Sequence, residues 1–333
     1  MVKHSQRIVK IIKIIVFGSR LRLHYTMRIL PILFLLATLY LGAKEAMPID
    51  PVSLLQLVDQ SSIIAYVQVV GERDTFIRKR HLDTEATLVV VDPLRGAKPG
   101  DTIRVRYSKN MICPAPARYP VGKNVLVFLE IYQGRLITTG LSYGTKVIEP
   151  KNYTVYRNRI MEVEPLLKVT VTKVRQQAIL NWLIVCAQHE ATRREAYLEL
   201  FKHRGIYGIW YDKKTNSSYR IVEFSNSQRK RLRDALLQLT RIDYRDLEAL
   251  KLVAKAGRDV AMHELLVGRW RDSQRDERYG PNVAFLHLVA RTSGQRELMD
   301  MVNSIIQLRY KNLVEREQIL EVNEKLRVLV GAS

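Results

Sequence analysis

The chain is poor in cysteine, with two in 333 residues, which excludes a disulfide-rich mini-domain and a four-cysteine zinc site. Glycine and proline are sparse as well, at 16 and 11, so a collagen-like repeat or a long disordered tail does not fit the composition. Acids are few: 33 Asp and Glu face 54 Lys and Arg, for a net charge of +21. A soluble surface does not need so large an excess, and the imbalance points to a basic leader or to anionic surroundings. A Gly-x-Ser-x-Gly elbow, a P-loop and a dinucleotide fingerprint are all missing, which removes three signatures of hydrolases and cofactor enzymes and leaves no cofactor to expect. What the chain does have is 47% hydrophobic residues, enough for a core, and a length that accommodates two domains.

The acid-free N-terminus accounts for part of the charge. Lys3, Arg7, Lys10, Lys13, Arg20, Arg22 and Arg28 precede an uncharged apolar run, Ile29–Ala43. Cations followed by about fifteen apolar residues are the order of a secretory signal, and the run is short of the roughly 20 residues that span a bilayer core. The expected cut lies between Ala43 and Lys44, and the alternative is an anchor formed by residues 29–43. Met27 offers a second start, from which Met-Arg and the apolar run make a complete signal. Loss of the seven cations lowers the net charge from +21 to +14. The chain is thus expected to be exported, periplasmic or extracellular, or held at the cytoplasmic membrane, with residues 1–46 as leader.

Beyond the leader, Ser53 and Gln56 are spaced as a capping box opening a short helix within Pro48–Gln60. Residues 63–70, 84–91, 102–107, 123–132 and 135–139 read as strands, with Gln133-Gly134 as a two-residue hairpin turn. In 102–107, Ile103, Val105 and Tyr107 alternate with Arg104 and Arg106, which predicts one buried and one solvated face. Residues 147–164 read as two or three weaker strands. From Pro165 the period becomes helical, with capping boxes at Thr192/Glu195 and Ser225/Gln228 and a loop or small hairpin at 205–224. Helices are expected near 244–256, 259–271, 281–292, 295–309 and 314–330. The expected fold class is α+β: a small OB-like β-barrel at 47–164 followed by an all-α helical-hairpin domain at 165–333.

Candidate chemistry is thin. His263-Glu264 begins like a zincin motif, but Val267 occupies the second ligand position. His189, His203 and His287 lack partners at ligand spacing, and Met111 with Cys113 lacks a His for a copper site, so no metal is expected. Cys113, in Ile-Cys-Pro-Ala-Pro, is either a reactive thiol, a disulfide partner of Cys186, or one of two separate buried thiols. Arg229-Lys230-Arg231-Leu232-Arg233 and the Arg104/Arg106 face could neutralise phosphates, yet neighbouring acids dilute them. Stacking aromatics are few, with Tyr66, Tyr107 and Tyr132 read as core, which argues against nucleic acid as the partner. An anionic membrane surface, a protein or a cell-envelope polymer suits an exported chain better.

Ser-Ser-Ile-Ile-Ala-Tyr-Val-Gln-Val-Val at 61–70, Thr-Leu-Val-Val-Val-Asp-Pro-Leu-Arg-Gly at 87–96, Ile112-Cys113-Pro114 and Val-Gly-Lys-Asn-Val-Leu-Val-Phe-Leu at 121–129 resemble the netrin/TIMP-like OB-fold barrel over about residues 50–150. Asn181–Ala187 with Ala191-Thr192-Arg193 is similar to a helical extension carried by some exported bacterial proteins of unknown role that share this plan. The resemblance implies a barrel and export. It does not imply metalloprotease inhibition, because the N-terminal Cys and the disulfide set of the inhibitors are missing here. The expected function is a non-enzymatic binding or scaffold protein of the cell envelope. The alternative from another class is an extracytoplasmic hydrolase or thiol-dependent protein using Cys113.

Overall fold

The computed structural model describes residues 50–75, 84–111, 115–239, 242, 245–254, 259–273 and 283–310, with 324, 325 and 328. The leader, the Ala43/Lys44 cut, Cys113 and most of the helix expected at 314–330 lie outside these residues. The described residues from Pro51 onward belong to one compact unit. Among them no helix is long and apolar enough to cross a membrane.

Helix α1 (Leu54–Gln60) opens with the expected capping box: Ser53 Oγ accepts from Gln56 N at 3.2 Å, and Gln56 Oε1 accepts from Ser53 N at 3.2 Å. The strands follow as β1 (Ile63–Asp74), β2 (Thr84–Arg95), β3 (Thr102–Tyr107), β4 (Asn124–Tyr132) and β5 (Arg135–Thr138). Their order is β1-β2-β3-β5-β4, and β4 returns to pair with β1, closing a five-stranded barrel. β3 and β5 run parallel through Arg106 and Ile137, while every other pairing around the ring is antiparallel. This is the strand order of an OB-type barrel. The β4–β5 turn has φ values of 50° at Gln133 and 71° at Gly134, the two left-handed positions that a tight hairpin of this twist requires.

Two layers of core explain the strand patterns. Ala65, Val67 and Val69 of β1 and Val125, Val127 and Leu129 of β4 fill the barrel interior. Ile64, Tyr66, Leu126 and Phe128 point the other way, into a second core shared with α1 and the helices. β1 and β4 are therefore buried on both faces, which is why they read as near-continuous apolar runs. β3 has one wet face, and its strict alternation survives: Ile103, Val105 and Tyr107 are buried.

The segment expected to hold weak strands is corrected. After a 3-10 turn (Leu141–Gly144) and the two-residue β6 (Thr145–Lys146), residues Pro150–Leu167 form helix α2. Tyr153-Thr154-Val155-Tyr156 has strong strand preference, but Tyr156, Ile160 and Val163 stand four and three residues apart and bury one helical face. Pro150 occupies the first helical position, where its missing N–H costs nothing. The helical period thus starts at 150 rather than 165.

The helices continue as α3 (Thr172–Gln188), α4 (Glu190–Leu200), α5 (Asn226–Leu237), α6 (Leu247–Val253), α7 (Val260–Ser273), α8 (Val283–Ser293) and α9 (Arg296–Tyr310). The Ser225/Gln228 capping box is formed on α5. The Thr192/Glu195 box is not. His189 is the N-cap of α4, its Nδ1 accepting from Ala191 N at 3.2 Å, while Thr192 donates to the Cys186 carbonyl and Glu195 pairs elsewhere. One antiparallel hairpin, β7 (Trp210–Asp212) and β8 (Ser217–Tyr219), interrupts the helices within the stretch expected to hold a loop or hairpin.

Candidate functional site

One set of buried and half-buried ionisable groups lies along the seam between barrel and helices. Lys146 Nζ of β6 reaches Glu195 Oε1 of α4 at 2.6 Å, with side chains only 14% and 11% exposed. Tyr156 of α2 donates to the Ala191 carbonyl at 2.8 Å and lies 3.5 Å from the same carboxylate oxygen. Burial, reinforced by the Glu195 charge, pushes the Tyr156 phenol pKa up. Arg95, at the end of β2, pairs with Glu164 of α2 at 2.6 Å and donates to the Ser61 carbonyl at 2.8 Å, fastening the strand to both α1 and α2. Each contact joins elements distant in sequence.

Ser53 does two things at once. Besides capping α1, its hydroxyl donates to Glu199 Oε1 of α4 at 2.5 Å. Burial raises the pKa of Glu199, and the Ser53 bond and the Lys202 charge only partly offset it. An acid whose folded pKa exceeds its unfolded value favours folding below the unfolded pKa, and that advantage is lost as pH rises through the folded pKa. Glu199→Gln is therefore expected to have a higher thermal midpoint than the parent at pH 7. The gap should close below the ordinary value of 4.5, which a melting series from pH 7 to pH 4 would read.

On the barrel, β2 and β3 expose the face that OB-type barrels use for ligands. Here it is closed by ion pairs. Arg73 reaches Glu85 Oε1 at 2.6 Å, and Arg106 reaches Oε2 at 3.3 Å. Burial works against ionisation of Glu85, but the two guanidinium bonds outweigh it and leave its pKa lowered. On the other side of β1, in register with Ala86, Glu72 accepts from Lys109 and from Tyr107 Oη, which holds its carboxyl below the usual range. Of the two arginines expected to face solvent, Arg106 is spent on Glu85 and Arg104 is exposed. The face is a mixed-charge lattice, a poor template for a line of phosphates.

Some of the exposed apolar side chains stand at or beside two hairpins, while others, such as Val70, Val121 and Val171, lie elsewhere. On β4, Ile131 and Tyr132 are 64% and 58% exposed beside the Gln133-Gly134 turn. Tyr132, read from sequence as core, is a surface residue, whereas Tyr107 is buried and Tyr66 stacks on Tyr153 at 4.0 Å. On the β7–β8 hairpin, Tyr211 and Tyr219 are both exposed, as are Ile206 before it and Ile221 after it. The Trp210 and Tyr219 rings stack at 6.4 Å, and the Trp210 indole donates to the Gly205 carbonyl at 2.9 Å. Below, Arg220 donates to the Leu200 and Tyr207 carbonyls at 2.6 and 2.7 Å and lies over Phe201 and Phe224. A Cβ on Gly208 would stand 1.8 Å from the Lys202 carbonyl, so only glycine lets this loop close on itself. The hairpin is held firmly from beneath and bare on its outside.

The sequence-derived candidates are dispersed. Cys113, and with it both thiol chemistry and the pairing with Cys186, lies outside the described residues. Cys186 is a fully buried free thiol on α3, its pKa pushed up by burial. His263 faces Thr292 Oγ1 at 3.3 Å, and burial lowers its pKa. The basic run on α5 is partly paired, Lys230 with Asp234 and Arg233 with Asp259, at 2.7 and 2.6 Å. Sequence reasoning missed the Lys146–Glu195 and Ser53–Glu199 contacts, whose partners lie 49 and 146 residues apart. No protein-family model matches the chain, and no curated protein is significantly similar to it.

Proposed function

We propose that the protein is an exported or membrane-anchored, non-enzymatic binding or scaffold protein of the cell envelope. The observation that supports this reading best is how the side chains are divided. Lys146, Glu195, Arg95 and Glu164 are committed to fastening barrel, α2 and α4 together, while Ile131, Tyr132, Tyr211 and Tyr219 stand exposed at hairpins on that frame. Rigid elements carrying bare apolar groups are suited to recognition, since little ordering is lost on contact. The basic, acid-free leader supports the envelope location.

On this reading the barrel hairpin with Ile131 and Tyr132 contacts a partner protein. A photo-reactive amino acid placed at Tyr132 in intact host cells is expected to give a discrete protein adduct, suppressed severalfold by Ile131→Ser. Absence of any adduct, or adducts insensitive to Ile131→Ser, would count against the reading.

A further inference from the structure

We infer that Arg104, Arg135 and Tyr132 form a docking site on the outer face of the barrel for an acidic segment of a partner protein. The inference rests on the reading above that the β4–β5 hairpin meets a protein, and it names the chemistry of that protein. Strand register puts the three side chains on one face. Tyr132 and Arg135 stand directly opposite each other across the β4–β5 turn. Arg106 and Ile137 are opposed in the parallel β3–β5 pair, and Arg104 and Arg135 each stand two residues before them. The two arginines are therefore side by side on strands about 4.8 Å apart. Opposed residues of paired strands share a face, so Tyr132, Arg135 and Arg104 make one row across β4, β5 and β3. All three are exposed, Tyr132 by 58%. Among the described residues neither guanidinium has a hydrogen bond or an ion pair.

The neighbouring rows of the same face are differently supplied. On one side Glu85, Arg106, Ile137 and Glu130 follow one another across β2, β3, β5 and β4, and Arg106 shares Glu85 with Arg73. On the other side Val89 and Thr102 are opposed and uncharged, and the Asp101 carboxylate beyond them accepts from Lys98 N at 2.8 Å. Arg104 and Arg135 are thus like charges on adjacent strands, an arrangement that repels unless an anion lies between them. A carboxylate over the row supplies that anion, because the planar fork of arginine matches it with two parallel N–H bonds.

The setting selects a protein segment over a polyanion. Tyrosine and arginine are the residue types that carry most binding energy at protein interfaces, and the exposed ring of Tyr132 offers apolar contact beside the two cations. A nucleic acid needs cations that continue along its length. Here the row that holds Glu85 and Glu130 lies next to the arginines, so a repeating charge would meet carboxylates within one step. A protein segment places one or two acids on Arg104 and Arg135 and uncharged residues beyond them.

The test uses the full chain and a fluorescein-labelled peptide that alternates Glu with Ala, read by fluorescence anisotropy at low salt. Arg104→Gln and Arg135→Gln are each expected to weaken binding about fivefold, the upper range for an exposed ion pair, and the double variant about twentyfold. Lys213→Gln with Lys214→Gln removes the same charge from exposed positions on the β7–β8 turn and is expected to weaken it less than about twofold. Neither arginine side chain is bonded in the free protein, so the arginine variants should melt no lower than the parent, which keeps loss of fold from imitating loss of binding. Absence of peptide binding overturns the inference, as does binding undiminished in the double arginine variant or weakened equally in the lysine variant. Tighter binding of a single-stranded oligonucleotide, with the same dependence on Arg104 and Arg135, would also overturn it and identify nucleic acid as the occupant. The Tyr132 adduct in cells tests the protein-contact reading separately. Adducts that persist unchanged in the double arginine variant retain that reading and overturn this inference, whereas arginine-dependent peptide binding with no adduct in cells does the opposite.

Discussion

Phe128→Ala is expected to lower stability by about 3–5 kcal/mol, the range for emptying a large aromatic site in a packed core. Phe128 is fully buried on β4 and belongs to the core that runs from the outer face of the barrel into the helices. The same core holds Leu54 of α1, Ile160 of α2 and Leu183 of α3. The cavity is therefore shared between strands and helices, and both should feel it. Thermal unfolding followed by a helical signal and by a barrel reporter such as Tyr119 is expected to shift together. A barrel that melts early while the helical signal stays in place would show that the two parts have separate cores.

Lys146→Met is expected to cost about 3–5 kcal/mol for a different reason. The substitution keeps the length of the stem but strands the Glu195 carboxylate, which is 11% exposed, without its cation. Glu195 Oε2 already lacks a hydrogen-bond partner, so the remaining carboxylate has little to fall back on. Adding Glu195→Leu should restore stability to within about 1 kcal/mol of the parent, because removing both charges of a buried pair is often neutral. Chemical denaturation of the two single variants and the double gives the coupling directly. If the double variant is as unstable as the sum of the singles, the pair is not what fastens β6 to α4.

Much of the fold was legible because it is written in local patterns. The capping boxes at Ser53 and Ser225 are three-residue signals with a single physical meaning, and both are formed. The Gln133-Gly134 turn and the alternation in β3 are equally local. The error at 147–164 arose where local preference and tertiary packing conflict: Tyr, Thr and Val favour a strand, but burial of Tyr156, Ile160 and Val163 against α3 and α1 selects a helix. Thr192/Glu195 misled for a related reason. Both side chains serve distant partners, Thr192 the end of α3 and Glu195 the barrel, so neither is available for a cap.

The candidate surfaces were less legible than the fold. The alternation in β3 marks Tyr107 as buried, but nothing local marks Tyr132, at the end of the near-continuous apolar run of β4, as exposed. Exposure there depends on which strands lie alongside, and β3–β5 pairing is a long-range fact. The 205–224 segment announced itself as irregular through glycine and aromatic content. Which of its aromatics are exposed, Tyr211 and Tyr219, and which are buried, Tyr207 and Phe224, depends on contacts such as those of Arg220 and Gly208, which only the folded chain brings together.

The central claim, a binding protein working outside the cytoplasmic membrane, is tested most directly by intact mass measurement of the protein isolated from fractionated host cells. The account predicts recovery from the envelope or the medium, with a mature N-terminus at or near Lys44. That outcome follows from an apolar run of fifteen residues behind seven cations, too short to span comfortably and followed by the small residue Ala43. Retention of Ile29–Ala43 on an envelope protein would select the anchored form over the cleaved one, with the basic flank on the cytoplasmic side. A cytosolic protein with its N-terminus intact at Met1 would contradict the account.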